Sequence, residues 1–261
     1  MTPRELRDAA MDLADIADAR TMRAFRHELD VRTKSDGSWV TEVDVAVETA
    51  LCDEIARRFP THCVEGEEIA SSASAGPSDD GPSVRWIIDP IDGTTNFVRG
   101  NPIFATLLAV QVDGVEVAGV VSAPALATRW DAAQDQGTRQ DGMPVAVSER
   151  RQMRDAEVSF GGLQHLDAAG YGQVVGLLTA ATARQRGYGD FWQHCLVASG
   201  STDVALDADV KVWDLAAVKV VVECAGGRFT SFSGEATADS GTGVSSNGHL
   251  HDEVLALLAR R

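Results

Sequence analysis

The sequence predicts an α+β fold in which β-sheets are layered between helices. Two patterns indicate this. In the middle of the chain, apolar runs at 104–112 and 115–122 flank Asp113-Gly114, which is typical of an antiparallel hairpin. From residue 167 onward, helical and strand-like patterns alternate along the chain. Because an amphipathic helix and an apolar strand must each bury a face, such a chain favours sheets covered by helices.

The amino-terminal part of the chain is predicted to be mostly helical. Residues 2–5, TPRE, form a capping box, and the apolar residues after it predict a long first helix to about His27. The polar, glycine-containing stretch 31–39 predicts a mobile β-hairpin or loop. A second helix is predicted to begin near residue 41 or 44 and to end at Pro60.

The rest of the chain is predicted to contain one exposed loop, several short strands and four helices. An exposed loop is predicted at 70–83, where small and polar residues dominate. The predicted strands lie at 62–64, up to 88, and at 128–132, 145–148, 157–160, 184–187, 202–206, 228–231 and 244–246. The predicted helices lie at 168–181, 190–199, 214–225 and 249–260, and Gly226-Gly227 ends the third of them.

The length of 261 residues suits one domain of two packed halves. We expect the first half at about 1–150, with the antiparallel sheet, and the second at about 151–261, with alternating helices and strands. A weak boundary falls in the charged run 149–155, which does not resemble a long linker.

Charge and hydropathy exclude several classes of protein. The formal net charge of −16 argues against binding a nucleic-acid backbone, and it would also repel a small phosphate ester unless cations were bound beside it.

No apolar run approaches the roughly 18 residues that span a bilayer, so we expect no membrane partner. The charged amino terminus has no signal-peptide core, which predicts a cytoplasmic protein. The four cysteines lack zinc-site spacing.

The stretch 86–102, WIIDPIDGTTNFVRGNP, carries the strongest chemical signal. Its apolar start predicts the end of a buried strand, and Asp89 and Asp92 follow directly. Gly93 and Thr94 come next, and small residues allow backbone N–H groups to close on an anion. A strand, two carboxylates and a Gly-Thr turn together indicate a site for metal and phosphate.

Two more carboxylates stand where predicted elements begin or end. Glu67 leaves a short strand, and Asp214 opens a helix. Carboxylate and carbonyl oxygens, including the Ile91 carbonyl between the two aspartates, are ligands that Mg²⁺ prefers. Each residue alone has an ordinary explanation, since Asp214 is also a good helix cap and Glu67 alone is uninformative. The combination is far more specific than any one of them.

A different phosphatase class is excluded by spacing. Enzymes of the haloacid-dehalogenase type carry a nucleophilic aspartate in a D-x-D-G-T stretch. Here Pro90 and Ile91 separate the two aspartates, so the spacing is one residue longer. A phospho-aspartate intermediate is therefore not expected.

Three segments resemble the signatures of the inositol monophosphatase family. They are GEE at 66–68, WIIDPIDGTTNF at 86–97 and WDLAAVKVVVECAGG at 213–227, and the likeness runs from about 34 to 247. The resemblance implies a layered αβαβα sandwich of the inositol monophosphatase/fructose-1,6-bisphosphatase type, usually in a homodimer. It also implies a phosphomonoesterase with two or three Mg²⁺ ions per site.

The resemblance implies a role for each matching residue. Metal ligands would be Glu67, Asp89, the Ile91 carbonyl, Asp92 and Asp214. Catalysis would involve Glu67, Thr94 and Asp92, with Glu67 and Thr94 positioning a metal-activated water that attacks phosphorus directly. The substrate phosphate would lie against Gly93 and Thr94, while Asp44 and Lys34 resemble a mobile third-metal region.

The finer pattern resembles the histidinol-phosphate phosphatase branch of the family. The relevant segments are NFVRGNP at 96–102, VSAPAL at 121–126, RGYGDFWQHCLVASG at 186–200 and SNGHLHDEVL at 246–255. Asp190 and Asp207 would then face the leaving group, and two anions suit a cationic amine and imidazole better than a polyol. Local readings remain open, a helix cap for Asp190 and a turn for Asp207.

L-Histidinol phosphate, a precursor in histidine biosynthesis, is therefore the predicted substrate. Two alternatives stay open at this point. One is an inositol-1-monophosphatase or a broader sugar or polyol phosphatase of the same family. The other is a non-catalytic module that binds phosphate with metal.

Overall fold

The two amino-terminal helices both begin at capping boxes. The computed structural model describes residues 1–35, 37–69 and 82–260. In helix α1 (Pro3–Ala24) the Thr2 hydroxyl accepts from the Glu5 N–H, and the Thr2 N–H donates back to Glu5. Helix α2 (Glu42–Arg58) repeats the arrangement with Thr41 and Asp44. The first helix therefore starts as predicted and ends three residues earlier than predicted.

A seven-stranded sheet follows, in which the strands lie side by side in chain order. A small antiparallel hairpin of β1 (Val31–Thr33) and β2 (Trp39–Thr41) precedes it. In the seven-stranded sheet, the first two strands are parallel to each other, and every later neighbouring pair is antiparallel. The strands are β3 (Cys63–Gly66), β4 (Val84–Asp92), β5 (Ala105–Val112), β6 (Val115–Ala123), β7 (Thr128–Ala133), β8 (Gly137–Gln140) and β9 (Met143–Val145), with the short helix α3 (Thr94–Val98) after β4.

The second half of the chain forms a five-stranded mixed sheet with helices on both faces. Its strand order is β11-β10-β12-β14-β13, where β10 pairs in parallel with both neighbours. The strands are β10 (Glu157–Phe160), β11 (Arg184–Arg186), β12 (Val204–Ala208), β13 (Arg228–Thr230) and β14 (Thr242–Ser246). The helices are α4 (Leu163–Ala168), α5 (Val174–Ala181), α6 (Asp190–Ala198), α7 (Val212–Cys224) and α8 (His251–Leu258).

The hydrophobic cores show five layers. Along β4, Trp86 and Ile88 pack toward α1 and α2, while Ile87 packs toward α6 and α7. On β12, Ala205 belongs to the α6–α7 core, and Leu206 belongs to the core under α4, α5 and α8. Because successive strand residues point to opposite faces, an unbroken apolar run buries both faces of a sheet. The predicted α+β sandwich, αβαβα, is confirmed.

Some element predictions were wrong. The helix predicted at 168–181 is two helices, and the chain turns between them at Gly170, where φ is +84°. The strand predicted at 145–148 ends at residue 145, and the Val147 N–H instead donates to the Ala225 carbonyl. Strand β8, GTRQ, was missed because it has almost no apolar residues. Most of the loop predicted at 70–83 lies outside the described residues.

The two halves of the chain each form one of the two larger sheets. The predicted boundary at 149–155 falls between the last strand of the first sheet and the first strand of the second. The single domain with two packed halves remains a prediction. Among the helices that the structure describes, none has both the length and the apolar character needed to cross a lipid bilayer.

Gly119 on β6 provides a test of the contact between α7 and the first sheet. A Cβ atom there would lie 2.8 Å from the Ala217 carbonyl oxygen of α7. Gly119→Ala should therefore push the helix backbone away and lower the free energy of unfolding by about 1–3 kcal/mol, measured by urea denaturation. Gly176→Ala on α5, where nothing lies within 4 Å, is the control and should be neutral or slightly stabilising. Equal stability of the two variants would contradict the proposed close packing.

Candidate active site

An irregularity in β4 brings two aspartates to the same side of the strand. In a regular strand, residues three apart point to opposite faces. Asp89 pairs with Leu107 and Asp92 with Ala105, so β4 holds one extra residue between these pairs. The Thr106 hydroxyl donates to the Pro90 carbonyl at 2.8 Å, and the Ile91 N–H donates to Asp89 Oδ1 at 2.9 Å. The strand end is thereby held in a bulged form.

Asp214 completes a group of three carboxylates. It occupies the first turn of α7, where its Oδ2 accepts from the Lys211 N–H at 2.6 Å. One oxygen each from Asp89, Asp92 and Asp214 lies within 4.8 Å of the others. Capping the helix and joining the cluster are therefore compatible roles for Asp214.

Glu67 lies beside this cluster on the segment that leaves β3. Because β3 is parallel to β4, both strands end at the same edge of the sheet. The Lys34 Nζ donates to Glu67 Oε1 at 2.7 Å and to Glu68 Oε1 at 2.6 Å. Glu67 is close enough for its charge to raise the pKa of Asp89, after the larger effect of burial.

Burial and mutual repulsion raise the pKa of every aspartate in the cluster. The pKa values of Asp89 and Asp92 lie well above the ordinary value, first because of burial and then because of neighbouring carboxylates. The same causes raise the pKa of Asp214 to about 7, although its bond from Lys211 acts in the opposite direction. Buried carboxylates of this kind need protons or a cation. An all-carboxylate donor set fits a hard divalent cation such as Mg²⁺.

Thr94 connects the strand end to α2. Its hydroxyl lies 3.0 Å from the Ile91 carbonyl oxygen and 3.3 Å from Asp44 Oδ1. Asp44 is fully buried, and its other oxygen accepts from both the N–H and the hydroxyl of Thr41. The structure thus gives Thr94 a hydrogen-bond partner on α2, and its role beside Glu67 in positioning water stays a prediction.

Gly93 turns the chain from β4 into α3. Its φ of +79° lies in the left-handed region that favours glycine. A Cβ there would lie 3.0 Å from the Ile103 carbonyl oxygen. The turn allows α3 to start at Thr94, and the first N–H groups of a helix have no partner within it.

Asp190 lies next to Asp92 at the start of α6. The Phe191 N–H donates to Asp92 Oδ2 at 2.7 Å, and Asp190 Oδ2 accepts from Asn96 Nδ2 at 2.9 Å. Burial raises the pKa of Asp190 to about 6, with a further contribution from the charge of Asp207. The helix-cap reading of Asp190 was wrong, because Gly189 is the cap residue and no side chain caps this helix.

Asp207 reaches the site from the second sheet. It is a buried residue of β12, and its Oδ2 accepts from Gln193 Nε2 at 2.8 Å. Gly161 makes room for it, since a Cβ there would lie 2.1 Å from Asp207 Oδ1. The turn reading of Asp207 was therefore wrong.

Sequence reasoning missed two residues that hold the others in place. Asn96 stands within the TTNF motif. Its side-chain Oδ1 accepts from Asn101 Nδ2, so the Nδ2 group of Asn96 is oriented to donate to Asp190. Glu48 lies four residues after Asp44, so the two share a face of α2. A glutamate four residues after a candidate site residue, next to apolar positions of the predicted helix, is the signal that was available in the sequence.

The cluster predicts a pH dependence of stability in metal-free protein. Because the pKa of Asp214 rises from 3.8 to about 7 on folding, its contribution favours the folded state at low pH and is lost as pH rises through 7. Asp214→Asn removes this titration. After chelation, the variant should lose less thermal stability than the wild type between pH 4 and pH 8, measured by calorimetry.

Magnesium provides the control for this measurement. At pH 8, Mg²⁺ should raise the melting temperature of the wild type far more than that of Asp214→Asn. Identical pH profiles with identical Mg²⁺ effects would contradict the electrostatic interpretation.

Comparisons with known proteins identify the family of this chain. The profile of the "Inositol monophosphatase family" matches residues 2–261. A histidinol-phosphatase of Mycobacterium tuberculosis is 43% identical over 95% of this chain and 96% of its own length, and one of Streptomyces coelicolor is 40% identical over 95% of both. The solved inositol monophosphatase of Thermotoga maritima has a TM-score of 0.85 at 32% identity, covering 97% of this chain and 96% of its own. The chain belongs to the inositol monophosphatase family.

Proposed function

We propose that the protein is a Mg²⁺-dependent phosphomonoesterase that hydrolyses L-histidinol phosphate to L-histidinol and phosphate. The observation that carries this proposal is the position of Asp190. The N–H of the next residue, Phe191, donates a hydrogen bond to Asp92, which places Asp190 beside the carboxylate cluster. The two relatives named histidinol-phosphatase, at 43% and 40% identity, support the same substrate.

Glu67, Asp89, the Ile91 carbonyl, Asp92 and Asp214 are the proposed metal ligands. Bound Mg²⁺ supplies Lewis acidity, which activates water and neutralises charge on the phosphate. Asp89 and Asp92 lie at one strand end and Asp214 at a helix start, so rigid elements hold them. Two or three ions per site is the number that the family resemblance implies.

Thr94 and its partners are proposed to handle the proton of the attacking water. The Thr94 hydroxyl can take that proton at Oγ1 while its own passes to Asp44 Oδ1. Burial raises the pKa of Asp44, which makes it a better proton acceptor. Glu67, which accepts a hydrogen bond from Lys34, orients the same water from the segment after β3. Lys34 and Asp44 would therefore act here whether or not a third metal binds.

The phosphate is proposed to lie against the turn at Gly93 and Thr94. Small residues, and N–H groups at the start of α3 that no side chain caps, suit phosphate oxygens. Asp92 joins this turn to the cluster, so the phosphate would lie beside the carboxylates. The phosphate would then be bound both by cations held in the carboxylate cluster and by the backbone N–H groups of the turn.

Asp190 and Asp207 are proposed to select the leaving group. Both belong to the second half of the chain, Asp190 to the start of α6 and Asp207 to β12, and Asp190 lies beside Asp92. Histidinol carries an ammonium group and a basic imidazole, and an anionic wall attracts both. A neutral polyol gains no such attraction.

A broader sugar or polyol phosphatase is the second candidate. The specific observation in its favour is the Thermotoga maritima inositol monophosphatase, which aligns over almost the whole chain. Its metal site would be the same, and only the roles of Asp190 and Asp207 would differ. The homodimer and the cytoplasmic location stay predictions.

A substrate panel with Mg²⁺ tests the proposal. We expect kcat/KM for L-histidinol phosphate to exceed that for inositol-1-phosphate by at least about 100-fold, as for sites that match charged groups. Asp89→Asn should abolish Mg²⁺-dependent turnover while the circular dichroism spectrum stays unchanged. A clear preference for inositol phosphate would favour the second candidate. No phosphate release from any ester would instead support a non-catalytic binding module.

Asp190→Asn separates selection from hydrolysis. It removes the charge but keeps the size, and asparagine tolerates the left-handed backbone at φ +47°. We expect kcat/KM for histidinol phosphate to fall by roughly 30-fold or more, while that for p-nitrophenyl phosphate stays within about threefold. Asp135→Asn, an exposed aspartate at φ +64°, is the matched control. Equal losses on both substrates would show that Asp190 does not select the leaving group.

A further inference from the structure

Glu48 uses both carboxylate oxygens to hold the segment that carries Glu67. Its side chain lies on α2 and is completely buried. Oε2 accepts from the Glu68 N–H at 2.8 Å, and Oε1 accepts from the Ile69 N–H, also at 2.8 Å. Hydrogen bonds to an ionised acceptor are stronger than neutral ones. One buried anion thus fixes two successive peptide groups directly after Glu67.

Gly66 makes this contact possible from the other side of Glu67. A Cβ at Gly66 would lie 2.1 Å from Glu48 Oε1, so any side chain there would displace the carboxylate. Gly66 also pairs with Ile88 of β4. The backbone of Glu67 is therefore held before it by the sheet and after it by Glu48.

The placement of Glu48 on α2 connects two parts of the site. Asp44, one helical turn earlier on the same face, accepts from the Thr94 hydroxyl. The helix therefore sets the distance between the Glu67 segment and the Thr94 turn. Neither contact involves the three aspartates directly.

We propose that Glu48 is a positioning residue that orients Glu67 as a metal ligand and thereby sets the affinity for Mg²⁺. The proposal rests on the metal role of Glu67 given above. Groups that orient metal ligands through hydrogen bonds typically change metal affinity by 10–100-fold when they are lost. A merely structural Glu48 would affect stability alone.

Glu48→Gln tests this proposal. The amide offers one acceptor, and its NH₂ group faces a backbone N–H that it cannot bind. We expect the Kd for Mg²⁺, measured by titration calorimetry on chelated protein, to rise about 10–100-fold. The Mg²⁺ concentration for half-maximal hydrolysis of p-nitrophenyl phosphate should rise in parallel, while kcat at saturating Mg²⁺ recovers to within about threefold of the wild type.

Asp203→Asn is the matched control. Asp203 is also buried, and it accepts from the Glu157 N–H at 2.7 Å and from the Ser148 hydroxyl. It precedes β12, whereas Asp207 lies near the end of that strand. The control should lower the melting temperature and leave the Kd for Mg²⁺ unchanged. A Glu48→Gln variant that behaves in this way overturns the proposal.

Two further variants keep the outcome decisive. If Glu48→Gln does not fold, Gly66→Ala displaces the same carboxylate while keeping its charge, and its Kd for Mg²⁺ decides the question in the same way. Glu67→Gln separates the proposal from its premise. If only Glu67→Gln weakens Mg²⁺ binding, the role of Glu48 is wrong; if neither variant does, the ligand role of Glu67 fails and the proposal fails with it.

Discussion

Repulsion among buried carboxylates is the constraint on which the rest of the site depends. Asp89, Asp92 and Asp214 place oxygens within 4.8 Å of one another, in a chain that already carries a net charge of −16. Burial removes the water that would screen them, so the folded protein must hold protons or a cation there. When the cluster binds cations, their positive charge attracts the phosphate that the bare carboxylates would repel. Stability and chemistry therefore draw on one feature.

Helices α2 and α7 carry site residues and pack against the sheets, α2 against the first sheet and α7 against both. The first turn of α7 carries Asp214, and the helix packs so closely on β6 that only glycine fits at residue 119. On the opposite face of the sheet, α2 presents Asp44 to Thr94 and Glu48 to the segment after β3. The layered packing thus places groups from both faces at one sheet edge. Core packing and site geometry are coupled for this reason.

Under the proposed function, hydrolysis and substrate selection belong to different parts of the fold that are in contact. The strand end and turn at 89–94 belong to the first sheet, whereas Asp190 and Asp207 belong to the second half of the chain. The hydrogen bond from the Phe191 N–H to Asp92 joins the two. If the proposed roles of Asp190 and Asp207 hold, changes around α6 alter substrate choice while the turn keeps its form. Relatives named for different substrates, a histidinol-phosphatase and an inositol monophosphatase, are consistent with such a division.

The sequence by itself determined the fold class, most elements and the family, because apolar periodicity, capping boxes and the DPIDGTT motif are local patterns. It also determined which carboxylates are candidates. Only the tertiary structure decided their partners. Thr94 lies 50 residues from Asp44, and Asn96 lies 94 residues from Asp190, so neither hydrogen bond has a local signal. The bulge in β4 and the contact of Glu48 with Gly66 likewise depend on how neighbouring elements pack, and packing is a property of the whole chain.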